Sequence, residues 1–162
     1  MIDDAILRDA EALLNQCRAA GLRVVTAESC TGGLIAATLT AIAGSSDVVD
    51  RGFVTYSNQS KTDLVGVPPQ TIETHGAVSQ QVAKRMAEGA LNASRADIAI
   101  SVTGVAGPGG GTPAKPVGLV WFGCARHNHP TTTHQETFPG TRTQIRAATV
   151  TTALALVRAA VG

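Results

Sequence analysis

The 162-residue chain contains few aromatic and few charged residues, and its net charge is close to zero. Phe, Trp and Tyr make up 3% of the sequence, Asp, Glu, Lys and Arg make up 15%, and the formal net charge is +1. A chain without a basic excess gives no sign of a nucleic-acid partner, because proteins that bind nucleic acid usually carry a basic face. Hydrophobic residues nevertheless make up 44% of the sequence, which indicates a globular core rather than a disordered chain.

Cysteine pairs, leader-like segments and long apolar runs are also missing. Cys17, Cys30 and Cys124 are odd in number and widely spaced, so we expect neither a disulfide framework nor a zinc site. The chain opens with Asp3 and Asp4 rather than with a basic stretch, unlike a secretory signal peptide. No apolar run is long enough to span a bilayer. We therefore expect a cytoplasmic protein that makes no membrane contact.

The hydrophobic pattern switches repeatedly between helical and strand spacing along the chain. The predicted helices cover residues 3–20, 34–43, a short segment carrying Lys61 and ending near 65, a possible short helix that starts at 68–69, 79–94 and 141–160. The predicted strands cover residues 22–27, 47–56, 97–103, 117–126 and 132–138. No internal repeat or linker divides this pattern. The sequence therefore predicts one three-layer α/β/α domain over residues 1–162, with a mixed, mostly parallel sheet.

Polar and small residues follow three of the predicted strands, at the point where each strand ends. These segments are residues 28–33, 56–61 and 103–112. In open α/β sheets, ligands bind beyond the carboxyl ends of the strands. If the three strands are parallel, the three segments meet at one edge of the sheet, and we expect a functional site there.

Ser29 is the first candidate for a chemical role at this edge. It lies between a strand and the following helix, and Thr31 and two glycines come directly after it. Backbone N–H groups are free at a helix N-terminus and can stabilise an oxyanion, so Ser29 is a candidate nucleophile for attack on a carbonyl. Two alternatives remain at this point. Ser29 could simply cap a helix that begins at Thr31, and Cys30 could be the nucleophile, although a small residue entering a buried helix is more often part of the core.

A serine nucleophile needs a base, and Lys61 is the best candidate by position. The histidines fall in predicted turns or on the edge strand, whereas Lys61 follows a strand at the expected edge. A lysine pKa of roughly 10.4 falls on burial, so a lysine packed among neighbours such as Leu64 and Val65 could accept a proton. The alternative is an exposed lysine on a short helix. Tyr56 could hydrogen-bond to either partner or anchor the strand end.

The segment from 104 to 112 is rich in glycine and could bind an anion through its backbone. Glycines allow close approach of the backbone and unusual dihedral angles. The segment lacks the Gly-Lys-Ser/Thr ending of a P-loop and the spacing of a dinucleotide-binding turn, so it does not predict ATP or NAD binding. Lys115 and Arg142 are candidates for contact with a phosphate. A plain surface loop is the alternative.

Several sequence blocks also resemble a known family. They are T-A-E-S-C-T-G-G-L at 26–34, Y-S-N-x-x-K at 56–61, H-G-A-V-S at 75–79, V-T-G-V-A-G-P-G-G-G-T-P-x-K-P-V-G at 102–118 and F-x-G-x-R at 138–142. In this order, from about residue 5 to 160, the blocks resemble the CinA C-terminal domain. Separated blocks in a fixed order are far more specific than a single short motif.

The resemblance implies an amidase that converts nicotinamide mononucleotide to nicotinate mononucleotide and ammonia, without a metal or organic cofactor. The catalytic residues it implies are Ser29 as nucleophile, Lys61 as base, and Tyr56 and Thr103 in the pocket. The substrate-binding residues we expect are Thr31, Gly32, Gly33, Ser45, Gly104, Ala106, Gly107 and Arg142. Ser45 stands where the family usually has alanine, so it is expected to line the pocket and shift substrate preference.

The mechanism we expect from these residues has Lys61 activating Ser29, and backbone amides of residues 29–33 or 104–107 stabilising the oxyanion. Similar domains form homo-oligomers, which we expect here too.

Two other functions remain open at this stage. One is an amidase for a different small amide. The other is a non-catalytic interaction domain of the competence or damage-response type.

Overall fold

The computed structural model describes residues 2–162, which form a β-sheet covered by helices on both faces. The helices are α1 Asp4–Ala20, α2 Leu34–Thr40, α3 Asn58–Val65, α4 Pro69–His75, α5 Gln80–Asn92 and α6 Arg142–Val161. The strands are β1 Val24–Glu28, β2 Val49–Val54, β3 Ile98–Gly104, β4 Leu119–Arg126 and β5 Thr132–Thr137. Within the described residues, no helix combines the length and apolar character needed to cross a membrane.

The sheet has the strand order β2-β1-β3-β4-β5, with β1 at the centre of a parallel group. Strand β1 pairs in parallel with β2 and β3, whereas β4 is antiparallel to both β3 and β5. The predicted mixed sheet, with most strands pointing the same way, is confirmed. Glu28, the last residue of β1, lies opposite Val54 of β2 and Val102 of β3. The carboxyl ends of the three parallel strands therefore meet at one edge.

Two apolar clusters cover the two faces of the sheet and give the predicted three layers. One cluster includes Leu13 of α1, Leu39 of α2 and Leu154 of α6. The other includes Val65 of α3 and Met86 of α5. Every residue of β1 is buried, as expected for a central parallel strand with helices on both faces.

Some helix boundaries agree with the sequence and others differ. Helix α3 begins at Asn58, within the predicted turn of residues 57–60, because the Ser57 side chain caps it. The Ser79 side chain accepts a hydrogen bond from the Val82 amide at the start of α5, as predicted. Gly21 ends α1 with a φ of 69°. Helix α2 ends at Thr40 rather than at 43, and residues 45–47 form a 3₁₀ turn before β2 begins. The predicted second strand therefore starts two residues too early.

Candidate active site

Ser29 lies directly after β1, at the edge where the three parallel strands end. Its backbone N–H donates to the Val102 carbonyl of β3 over 3.0 Å. On the other side, the Thr55 N–H donates to the Glu28 carbonyl over 2.8 Å. The chain entering and leaving this point is thus held by both neighbouring strands, so the position of Ser29 is fixed by the sheet.

The side chain of Lys61 reaches Ser29 from helix α3. Its Nζ lies 3.1 Å from Ser29 Oγ and 2.9 Å from the Thr55 carbonyl oxygen. The carbonyl oxygens of Tyr56 and Ser57 are each 3.5 Å from Nζ. Lys61 is 1% exposed, so the alternative of a surface lysine is wrong. Helix α3 begins after Ser57, whose side chain accepts from the Ser60 amide, and this start places Lys61 one turn into the helix.

Burial lowers the pKa of Lys61 from its ordinary value of 10.5. No carboxylate in residues 2–162 forms an ion pair with this amine. Val65 is buried as predicted, but Leu64 is 46% exposed and does not shield the amine, because it is on the outer face of α3. A neutral amine here can donate to the Thr55 carbonyl and accept the Ser29 proton, which is the arrangement a general base needs.

Glu28, which the sequence reasoning did not single out, fixes the turn that follows Ser29. It is 1% exposed. Its Oε1 accepts from the Thr31 hydroxyl at 2.6 Å and from the Ile35 amide at 2.8 Å, and its Oε2 accepts from the Ala36 amide at 3.0 Å. Glu28 therefore caps α2, so the interpretation of Ser29 as the cap is wrong. The available signal was an acidic residue directly before the serine, where the positive end of a helix favours a carboxylate.

Ser29 opens on a small cleft of about 170 Å³. The cleft is lined by Ser29, Cys30, Tyr56, Gly104, Ala106 and Arg142. The backbone amides of Cys30 and Ala106 donate to no other residue within 2–162. Two such amides beside a serine hydroxyl can stabilise the negative charge that develops on a carbonyl oxygen under attack.

Arg142 bridges the mouth of this cleft. Its Nη1 donates to the Gly107 carbonyl at 2.8 Å, and its Nη2 donates to the Tyr56 hydroxyl at 3.3 Å. Arg142 is the first residue of α6, and Tyr56 follows β2 with 61% of its surface exposed. The glycine-rich segment and the loop before α3 are thus linked by one guanidinium group.

Comparisons with known proteins identify the family of the chain. The family model described as the CinA C-terminal domain matches residues 8–161. The chain belongs to the CinA C-terminal domain family. The resemblance of the motif blocks is thereby confirmed.

Relatives of this CinA C-terminal domain chain occur both as short and as longer proteins. Nicotinamide-nucleotide amidohydrolase PncC of Escherichia coli (strain K12) is 48% identical over 146 residues, which cover 90% of this chain and 88% of that protein. A CinA-like protein of Mycolicibacterium gilvum is 50% identical over 158 residues, which cover 98% of this chain but 36% of that protein. The crystal structure of competence/damage inducible protein CihA from Agrobacterium tumefaciens superposes with a TM-score of 0.95 at 51% identity, covering 98% of this chain and 97% of that one.

Not every residue expected at the site lies in the cleft of this CinA C-terminal domain. Thr103 is buried, and its hydroxyl donates to the Ala77 carbonyl at 2.8 Å rather than to Ser29 or Lys61. Ser45 does not line the cleft, because it precedes β2, whose far end carries the cleft. The strand separates them by roughly 17 Å at about 3.3 Å per residue. Lys115 Nζ donates to the His75 carbonyl at 2.7 Å, so it ties its loop to the end of α4 instead of facing the cleft.

The turn residues Thr31, Gly32 and Gly33 lie beside the cleft and shape it through the backbone. The Thr31 side chain is directed to Glu28 and is fully buried. Gly32 and Gly33 have φ values of 57° and 102°, a region that favours glycine. No group of three His, Cys, Asp or Glu residues within 2–162 is placed to hold a metal ion.

Cys30 lines the cleft but is poorly suited to be the nucleophile. It is 7% exposed, and burial raises the pKa of its thiol to about 12. Since the thiolate is the reactive form, almost none is present near neutral pH. The structure therefore favours Ser29 over its neighbour.

Arg146 is a second residue that the sequence reasoning missed. Its Nε donates to the Cys30 carbonyl at 3.2 Å, and its Nη2 donates to the Thr31 carbonyl at 2.9 Å. Arg146 follows Arg142 by one helical turn on α6, so both guanidinium groups leave the helix on the side of the cleft. The i, i+4 spacing of two arginines after F-x-G was the signal that could have revealed it.

Proposed function

We propose that this chain is an amidohydrolase that converts nicotinamide mononucleotide to nicotinate mononucleotide and ammonia. The observation that carries the proposal is the 3.1 Å contact between Ser29 Oγ and the buried Nζ of Lys61. The 48% identity to the Escherichia coli nicotinamide-nucleotide amidohydrolase, over 88% of that protein's length, supports the choice of substrate.

The reaction begins when neutral Lys61 takes the Ser29 hydroxyl proton and the serine oxygen attacks the carboxamide carbon. The amides of Cys30 and Ala106 stabilise the resulting oxyanion. When the tetrahedral intermediate collapses, the C–N bond breaks, and protonated Lys61 gives its proton to the departing nitrogen, so ammonia leaves. An ester between Ser29 and the nicotinoyl group remains.

Water then completes the cycle at the same groups. Lys61, again neutral, takes a proton from the water that attacks the ester carbon. The bond to Ser29 Oγ breaks, the serine regains its proton from Lys61, and the free carboxylate is released. One water is consumed for each amide cleaved, and no oxidant or reductant is required.

The cleft mouth supplies the groups that we propose for substrate binding. Arg142 and the amides of the 104–107 segment would hold the phosphate, while the Tyr56 ring borders the space next to Ser29. Thr31, Gly32 and Gly33 would contribute through the shape of the turn. For Thr103, whose hydroxyl is bonded to the Ala77 carbonyl, a catalytic role stays a prediction.

A non-catalytic interaction domain is less well supported by the same observations. Burying a lysine without a carboxylate partner costs stability, and a binding module would have no use for that cost. An amidase acting on another small carboxamide would use the same Ser29 and Lys61. The difference between the two amidases lies in the phosphate contacts at Arg142.

We also propose that residues 1–162 act as one amidase domain in the cytoplasm and as a homo-oligomer. The cysteines Cys17, Cys30 and Cys124 are unpaired, as is usual in a reducing compartment. Val54 and Leu64 are exposed apolar side chains on β2 and α3, and such residues are suited to contact between copies of the chain.

The test is ammonia release from nicotinamide mononucleotide by the purified protein, with nicotinate mononucleotide followed by chromatography. Ser29→Ala is expected to abolish both products. Ser46→Ala is the matched control, because Ser46 is exposed and its side chain makes no hydrogen bond within 2–162, so wild-type turnover is expected. Turnover by Ser29→Ala would refute the nucleophile. A folded wild type that cleaves another amide but not this one would refute the substrate.

A further inference from the structure

We propose that Arg146 is a positioning residue that holds the nucleophile turn, residues 29–33, in its reactive shape. The inference rests on the proposed function, because it concerns the geometry around Ser29. Arg146 would act through the backbone of the turn and not by touching the substrate, since it does not line the cleft.

The guanidinium group of Arg146 contacts two consecutive peptide units of the turn. Nε bonds to the Cys30 carbonyl and Nη2 to the Thr31 carbonyl. Hydrogen bonds from a charged donor are stronger than neutral ones, and two from one planar group also fix orientation. The side chain is half-buried, which limits competition from water.

The turn needs external support because its own sequence does little to define it. Gly32 and Gly33 both have positive φ, and glycine moves between conformations more freely than other residues. Gly33, the residue before helix α2, has no side chain to cap it, so the helix is capped by Glu28 from outside the turn. Within residues 2–162, the side chains that hydrogen-bond to the turn are those of Glu28, Lys61 and Arg146. Arg146 is the one among them that binds its main-chain carbonyls.

Fixing these carbonyls also fixes the amide groups of the turn. A peptide unit is planar and trans, so its C=O and N–H point in opposite directions. With the Cys30 carbonyl held on Arg146, the Thr31 N–H must point the other way, and rotation of the adjoining Cys30 amide is restricted. The Ser29 carbonyl is already engaged by the Gly32 amide at 3.0 Å. The free Cys30 amide, the oxyanion donor proposed above, is thus held from both sides.

Arg142 and Arg146 have different positions and should have different kinetic effects. Arg142 bonds to Tyr56 and Gly107 at the cleft mouth, where the substrate phosphate would bind. Arg146 bonds to the main-chain carbonyls of the turn and does not line the cleft. Loss of Arg146 should therefore lower kcat and leave KM nearly unchanged, whereas loss of a substrate contact raises KM.

The experiment compares Arg146→Met and Arg146→Lys with Arg158→Met. Arg158 is an exposed residue of the same helix, and its side chain makes no hydrogen bond within 2–162. A misplacement of about 1 Å costs about 10²-fold in rate, so we expect kcat to fall by about that factor in Arg146→Met. KM should stay within about threefold. The kcat of Arg146→Lys should also fall, because an ammonium group cannot make the two hydrogen bonds of a planar guanidinium group in the same geometry. Full activity of Arg146→Lys would show that charge alone matters and would overturn the proposal.

Two readouts separate this inference from the proposed substrate. The first is the rate at which a fluorophosphonate probe labels Ser29, forming an O–P bond with loss of fluoride and without any amide. The second is amide hydrogen exchange in peptides covering residues 29–34. We expect slower labelling and faster exchange in Arg146→Met and no change in Arg158→Met. Unchanged labelling and exchange would overturn the positioning role even if the amidase is confirmed. A wild type that is labelled but does not cleave nicotinamide mononucleotide would refute only the substrate.

Discussion

Replacing Glu28 with glutamine should strongly destabilise the protein, although it only converts one carboxylate oxygen into an NH₂ group. Glu28 is buried, and its two carboxylate oxygens accept from three donors: the Thr31 hydroxyl and the amides of Ile35 and Ala36. In Glu28→Gln, the remaining oxygen can still serve Thr31 and Ile35. The new NH₂ group must face the Ala36 amide, and two donors cannot bond to each other.

Three contributions make up the expected loss. Replacing two charge-assisted hydrogen bonds by neutral ones costs about 1 kcal/mol, and leaving the Ala36 N–H without an acceptor costs about 1–3 kcal/mol. Losing a negative charge at the N-terminus of α2 costs about 0.3–1 kcal/mol. The sum is about 2–5 kcal/mol, a large part of the roughly 5–15 kcal/mol that stabilises an ordinary domain. The variant should fold but be much less stable than the wild type.

Urea unfolding followed by far-UV circular dichroism measures this loss directly. With an m value of about 2 kcal/mol/M, the midpoint of Glu28→Gln should fall by roughly 1–2.5 M. Glu11→Gln on the exposed face of α1 is the control, and it should stay within about 0.5 kcal/mol of the wild type. A loss below about 1 kcal/mol in Glu28→Gln would refute the claim that the carboxylate caps α2.

Two further predictions concern Lys61 and Cys30. Burial lowers the pKa of Lys61, and we propose its neutral amine as the base. We therefore expect kcat/KM to rise with pH through a pKa below 10.5. Lys61→Met should remove this rise together with about 10²–10⁴-fold of the rate, and a pH profile unchanged in Lys61→Met would point to another base. Because the pKa of Lys61 is lower in the folded protein, the unfolded state binds more protons than the folded state at pH values between the folded-state pKa and 10.5. The free energy of unfolding should therefore increase with pH over this range. This increase should be absent in Lys61→Met. The pKa of the Cys30 thiol is raised to about 12, so the thiol should not react. We expect Cys30→Ala to keep turnover within about threefold and iodoacetamide to leave the native enzyme active. Inactivation by either change would restore Cys30 as a candidate nucleophile.

Much of the fold could be predicted because the hydrophobic pattern of each element is local. The helix before Gly21 and the helix after Ser79 carry their stop and start residues in the sequence. The strand pattern predicted the parallel group whose ends meet at Ser29. The end of α2 could not be predicted as well, because residues 41–43 continue the apolar pattern of the helix.

Residues of the site could be predicted only where their position in the sequence also determines where their side chains point. Ser29 and Lys61 follow strands at the same edge, and their side chains do meet at 3.1 Å. Ser45 could not be placed in the same way. It precedes β2 instead of following it, and the cleft lies at the other end of that strand. Lys115 is close to the glycine-rich segment in sequence, but its side chain turns to the His75 carbonyl. Arg146 acts across the sheet edge, over 115 and 116 positions of sequence, a contact that local patterns do not reveal.

The buried acid and the buried base beside Ser29 can coexist because the sheet separates them. Successive side chains of a strand point to opposite faces, so Ala27 packs in the cluster with α3 and α5, while Glu28 points to α2. Lys61 belongs to α3, on the face of Ala27. A carboxylate within about 4–6 Å of Lys61 would stabilise its charged form and raise the pKa, which would disable it as a base at neutral pH. The pKa of Lys61 is instead lowered, with burial as the main cause and no carboxylate among the contributors. A one-residue shift in the register of β1 would exchange the two faces. It would bring the acid to Lys61, remove the cap of α2 and raise the pKa of the amine.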